Sequence, residues 1–141
     1  MIKGRKVMGG AGEGEALVSK EPLSFLGGVD PDTGIVVDKQ HDLYGKRITG
    51  KVLVFPRGKG STAGPYTIFA MSKRGNAPVA MINLHSEAII AIGAVMAGIP
   101  LVHCLEENPL ERIKTGDYVR VNADEGTLEV EVCSGEKGER E

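Results

Sequence analysis

The stretch Gly58-Lys-Gly-Ser-Thr-Ala-Gly64 follows closely on the apolar run Lys51-Val-Leu-Val-Phe55 and brings together three glycines, two hydroxyls and, with Arg57, two cations. A glycine-rich turn between a strand and a helix is suited to an anion. The first N–H groups of the helix lack carbonyl partners, and the positive end of its dipole faces the turn. The two familiar nucleotide patterns do not fit. A P-loop needs Gly-x-x-x-x-Gly-Lys-Ser/Thr, whereas Lys59 here precedes the second glycine; in a dinucleotide fingerprint the third glycine would come one residue earlier. Spacing alone leaves two readings of Ser61 and Thr62. Either one of them caps the helix, a contribution of about 1 kcal/mol, or a hydroxyl acts as nucleophile or base, which requires activation. No histidine lies nearby in sequence, so an activator has to come from elsewhere in the fold or from another chain. Arg57 and Lys59 either hold an anionic substrate group such as a phosphate or are simply solvated.

The elements that would position this turn are readable. Pro65 near a helix start, Lys73 and Arg74 in its last turn and Gly75 beyond it predict a helix over residues 65–74. Residues 51–55, 77–83 and 100–103 read as strands, and residues 86–97 as a mostly buried helix closed by Gly98. That β–α–β–α–β order implies parallel neighbours joined by right-handed crossovers. Outside it, residues 12–18 and 34–38 read as strands among glycine-rich loops, residues 109–114 as one short helical turn, and residues 117–122 and 127–132 as an antiparallel hairpin. The expected fold is α/β: a three-layer β/β/α domain with mixed parallel and antiparallel strands over residues 1–133. Residues 134–141 read as a flexible charged C-terminal tail.

With 141 residues, 41% hydrophobic and 26% charged, the chain has ordinary globular usage and room for one core. A formal net charge of −2 argues against a nucleic-acid or polybasic membrane surface. No apolar stretch follows the basic N-terminus, and residues 88–95 are too few to span a bilayer. A cytoplasmic protein is expected, with neither nucleic acid nor membrane as partner. Its two cysteines, Cys104 and Cys133, are fewer than an iron–sulfur cluster takes. His103 and Cys104 read as strand-end core residues with no ligand spacing, and His41 as a surface or interface residue of a polar loop. No metal ligand is expected. Glu87 and His85 fall at a helix start, where a carboxylate is favourable in any case.

Taken in order, Gly27-Gly-Val-Asp-Pro-Asp-Thr-Gly34, Ile35-Val-Val-Asp38, His41, Gly45, Ile48-Thr-Gly-Lys51 and Gly58-Lys-Gly-Ser-Thr-Ala-Gly64 resemble the small subunits of the aconitase X group, from about Gly10 through Val102. The resemblance implies a swivelling β/β/α domain related to the mobile fourth domain of aconitase. It also implies a hydro-lyase active only with a large subunit, in a heterodimer or larger complex. The expected 4Fe–4S cluster belongs to that large subunit, with no cofactor bound by this chain. In aconitase-like swivel domains the base is the first serine of a Gly-Ser-Ser-Arg turn, and Gly60-Ser61-Thr62-Ala63 occupies the matching place. Ser61 is therefore the implied catalytic base, with Gly60, Thr62, Gly64, Gly28, Asp30, Lys59 and Arg57 in the substrate-binding or active-site loops. Ala63 stands where a substrate-binding arginine would be, which argues against a tricarboxylate. Arg57 and Lys59 lean towards a small phosphorylated hydroxy acid. Three other readings stay open. One is a hydroxyproline dehydratase of the same group. Another is a phosphohistidine swivelling domain, which residues 87–93 and 97–102 also resemble, although Glu87 fills its histidine slot and His85 comes two residues early. The last is a non-catalytic binding module.

Overall fold

Two strands, Val52–Phe55 and Ala80–Asn83, bury all of their side chains. A strand without a solvent face needs a packing layer on each side, and the architecture follows from that need. The structure, a computed structural model, describes residues 1–59 and 64–131. In chain order the elements are β1 (Ile2–Lys3), β2 (Arg5–Met8), β3 (Ala11–Val18), β4 (Val29–Asp30), β5 (Ile35–Val36), β6 (Val52–Phe55), α1 (Gly64–Lys73), β7 (Ala80–Asn83), α2 (Ala88–Ala97), β8 (Leu101–His103), α3 (Pro109–Arg112), β9 (Tyr118–Asn122) and β10 (Thr127–Glu131).

Eight strands form one sheet in the order β1-β10-β9-β3-β6-β7-β8-β2, while β4 and β5 pair apart from it. Strand β3 joins the sheet's two halves. Its first residues, Ala11 to Glu15, run antiparallel to β9, and its last, Ala16 to Val18, run parallel to β6. The β6–β7 and β7–β8 pairs are parallel, as two helical crossovers require. Leu53, Phe55 and Met81 face a core shared with Ile68 and Met71 of α1 and Ile90 and Ala94 of α2. Val52, Val54, Ala80 and Ile82 face a second core with Val119, Val121 and Leu128 of the antiparallel half and Leu110 and Ile113 around α3. This is the expected three-layer β/β/α fold. The tail read at residues 134–141 lies outside the described residues.

Several expectations shift in detail. Helix α1 begins at Gly64, which makes Pro65 its second residue. Helix α2 begins at Ala88, and Ser86 instead donates its hydroxyl to Asn83 Oδ1 (2.7 Å). Gly98 ends α2 in the left-handed conformation (φ 70°) and donates its N–H to the Ala94 and Val95 carbonyls. Of residues 34–38, only Ile35 and Val36 form strand, in the two-stranded β4–β5 ribbon. The N-terminal strands β1 and β2 carried no readable signal. They pair at the two edges of the sheet, and they are too short, with only Ile2 buried, for an alternation to mark them.

Leu53 is fully buried between β6 and the helical layer. Leu53→Ala is expected to cost about 2–5 kcal/mol of stability, read in urea as a lower transition midpoint with an unchanged slope.

Candidate active site

The carboxyl ends of β3, β6, β7 and β8 share one edge of the sheet, and the loops leaving them meet there. At β6 the chain continues through Pro56 to Lys59, and two backbone hydrogen bonds fix its path. Leu23 N–H donates to the Arg57 carbonyl and Lys59 N–H to the Leu23 carbonyl, both at 3.1 Å. The neighbouring loop holds it from the other side. Leu84 N–H donates to the Pro56 carbonyl (3.1 Å), and buried Asn83 donates Nδ2 to the Phe55 carbonyl (3.0 Å).

Gly58 is buried beneath the first turn of α2. A Cβ there would overlap Ile90 Cγ1 and lie 2.9 Å from Glu87 Oε1, so the close approach needs a glycine. Gly64 meets the same turn, with its Cβ position 3.3 Å from Ile89 Cγ2. Both flanks of the Gly58–Gly64 motif therefore rest on the start of α2. The sequence-derived site residues Gly60, Ser61 and Thr62, together with Ala63, lie outside the described residues. Arg57 and Lys59 are exposed, and among the described residues neither has an ion-pair partner.

The two helices that start at this edge differ electrostatically. Glu87 caps α2, accepting the N–H groups of Ile90 (3.0 Å) and Ile89 (3.4 Å), so a carboxylate already answers that helix end. The first turn of α1 has no acidic residue, and Arg57 and Lys59 precede it. An anion is favoured at α1 and disfavoured at α2.

The Leu23 anchor is itself held by residues that the sequence did not single out together. His41 is buried, not at the surface as its polar surroundings suggested. Its Nδ1 accepts the Leu43 N–H (3.1 Å), and its Nε2 donates to the Pro22 carbonyl (3.1 Å). Buried Ser19 donates to Asp42 Oδ1 (2.7 Å), which lies 3.1 Å from His41 Nδ1. The partners lie about twenty residues apart in the chain, and no local pattern announces them.

Gly28 is buried against the Ser24 carbonyl near this anchor, and its own carbonyl accepts the Val37 N–H (2.9 Å). Asp30 lies elsewhere. Its carboxylate accepts the Asp32 N–H, its carbonyl accepts the Thr33 and Gly34 N–H groups, and this turn packs at the C-terminal end of α1, where Asn76 donates to the Pro31 carbonyl. The length of α1, on the order of 15 Å, separates that turn from the Gly58 edge.

At the β8 end, Cys104 is exposed with φ 53° and His103 is half-buried; neither is the core residue that its strand-end position suggested. The His85 and His103 rings stack with centroids 5.4 Å apart, and Cys104 Sγ lies 3.7 Å from His85 Nδ1. Burial holds the His103 pKa below the usual imidazole range, and like charge on His85 and Arg5 adds to the effect.

A swivelling domain with its loops gathered at the carboxyl edge of a parallel sheet is the class that the fold and site define. Comparison narrows it. The family described as the aconitase X swivel domain matches residues 1–130. The small subunit of phosphomevalonate dehydratase from Methanosarcina acetivorans is 54% identical over 136 residues, covering 96% of this chain and 94% of the relative. Its counterpart from Thermococcus gammatolerans is 57% identical over 129 residues, covering 92% and 96%. A crystal structure of Thermococcus kodakaraensis aconitase X in its holo form superposes with a TM-score of 0.87 at 53% identity, covering 92% of this chain and 96% of that one. The chain belongs to the aconitase X swivel-domain family. Among the described residues, no helix is long and apolar enough to cross a membrane.

Two outcomes test this geometry. Gly58→Ala forces a methyl into buried Ile90 and is expected to cost about 1–3 kcal/mol, measured by urea unfolding. His103 links stability to pH: the unfolded chain takes up its proton more readily than the fold does, so stability rises with pH. The contribution is present above the ordinary imidazole value of 6.5 and is lost as the pH falls through the lower value held in the fold. Urea midpoints at about pH 7.5 and about pH 5 should differ less in His103→Gln than in the unsubstituted protein.

Proposed function

We propose that this chain is the small subunit of a phosphomevalonate dehydratase, a hydro-lyase that works only with its large subunit. The observation that carries this reading is identity above 50% along more than nine-tenths of both chains to relatives bearing that name. The proposed reaction removes water from (R)-5-phosphomevalonate to give trans-anhydromevalonate 5-phosphate, a step in a modified mevalonate route to isoprenoids.

The iron–sulfur cluster expected for this chemistry does not fit on this chain. Such clusters generally take three or four thiolates, and the sequence has only Cys104 and Cys133. The cluster is assigned to the large subunit, where it would supply Lewis acidity towards the leaving hydroxyl. This chain contributes the groups around the Gly58–Gly64 motif. Ser61 is the base that takes the proton from the carbon next to the one losing hydroxyl. Glycine N–H groups and the positive end of α1 would stabilise the charge that develops on its oxygen. Arg57 and Lys59, exposed and without ion-pair partners among the described residues, are suited to the substrate phosphate. The uncharged acid-free start of α1 supports placing that phosphate there and not at α2, where the Glu87 carboxylate would repel it.

The test is anaerobic reconstitution with the cognate large subunit and 5-phosphomevalonate. Activity is expected to need both chains and to fall by about 10²–10⁴-fold in Ser61→Ala, with the complex still assembled by size-exclusion chromatography. Full activity in Ser61→Ala reduces that serine to a helix cap. Turnover of a hydroxyproline and not of the phosphate keeps the mechanism and replaces the substrate.

A further inference from the structure

We propose that His85, His103 and Cys104 form a site for a zinc-class cation, with one coordination position left for water or an outside donor. One ligand atom from each residue lies within 4.8 Å of the other two. The fold brings them together from the neighbouring ends of β7 and β8: His103 ends β8, and Cys104 N–H donates to the Leu84 carbonyl (3.1 Å), which sets it beside His85. Cys104 Sγ and His85 Nδ1 are 3.7 Å apart. Zinc bonds of ordinary length at a tetrahedral angle place sulfur and nitrogen about 3.6 Å apart, so this pair needs almost no movement. His85 and Cys104 are exposed, which leaves a cation an open route in. Two imidazoles and a thiol make a donor set for zinc and its borderline neighbours and not for calcium or magnesium, which prefer oxygen.

His103 brings one specific adjustment. Its Nδ1 accepts the Ser86 N–H (2.9 Å), so the neutral ring carries its proton on Nε2. Ligation through either nitrogen therefore releases the Ser86 bond, and the Ser86 amide becomes a reporter of occupancy. The thiol proton of Cys104 leaves to solvent when the thiolate binds, with no change of oxidation state. A second cluster, Glu21, His41 and Asp42, is equally compact but differs in kind. Both His41 nitrogens are held by backbone groups and Asp42 accepts from Ser19, so that cluster ties loops together.

The test is cobalt(II) titration of the full chain, reduced and free of chelator. One equivalent should produce the thiolate-to-cobalt charge-transfer band and the visible bands of four-coordinate cobalt, and zinc should displace both. Cys133→Ser keeps the band, Cys104→Ser loses it, and His85→Ala and His103→Ala each weaken binding more than about tenfold. Glu21→Gln leaves binding unchanged. Hydrogen exchange at the Ser86 amide should speed up when zinc is added. The assignment is overturned by the absence of a charge-transfer band at saturating cobalt, or by a band that follows Cys133 or Glu21. Equal affinity in either histidine variant overturns it as well. Circular dichroism of each variant separates lost ligation from lost folding.

Discussion

Because β6 and β7 have no solvent face, the chain must cover them twice, and it does so with segments of different character. On one side, α1 and α2 lay down Ile68, Met71, Ile90 and Ala94; on the other, the antiparallel hairpin folds back with Val119, Val121 and Leu128. Alternation within β6 divides Val52 and Val54 from Leu53 and Phe55, so one four-residue strand anchors both cores. The junction of the two halves lies in β3, which leaves its antiparallel partner and joins a parallel one within a single eight-residue strand. With the sheet sealed on both faces, the carboxyl edge is where backbone groups of these strands run out of ladder partners, and it is there that loops and side chains take over.

The legibility of the sequence follows the range of the interactions concerned. The parallel half was readable because its signals are local: a short branched apolar run for β6, and glycines at the ends of both long helices. The edge strands β1 and β2 were not readable, since their place depends on pairing with residues about a hundred positions away and not on their own pattern. At the site, the motif around Gly58 announces a turn, but the reason for the glycine lies in Glu87 and Ile90, about thirty residues on. His41 was misplaced for the same reason. Composition around it is polar, yet its ring is held by Leu43 and Pro22 in the interior. The cluster of His85, His103 and Cys104 escaped a search by spacing because β7 and β8 are neighbours only in space.

Buried polar groups do most of the positioning at this edge. Asn83 fixes the Phe55 carbonyl and receives Ser86, and the His41–Pro22 bond steadies the segment whose next residue, Leu23, grips Arg57 and Lys59. Each bond is modest by itself, about 1 kcal/mol net, but an unmade bond at a buried site costs more than a made one gains. That asymmetry favours one loop arrangement over its neighbours. The proposed role of Ser61 as a base would benefit from such support in the flanking residues, since an error of about 1 Å can cost on the order of a hundredfold in rate.

The edge is also divided chemically along its length. Around β6 the acid-free first turn of α1 and two exposed cations, without ion-pair partners among the described residues, favour an anion, while around β8 two imidazoles and a thiol offer lone pairs to a cation. Glu87 stands between the two regions. By capping α2 it removes the second helix end from competition for anions, and it carries negative charge two residues from His85 in the chain. Arg5 acts the other way, since its charge disfavours a proton on His103 and would equally disfavour a bound cation. A thiolate at Cys104 is then what tips the balance, because it brings the negative charge that two neutral imidazoles cannot.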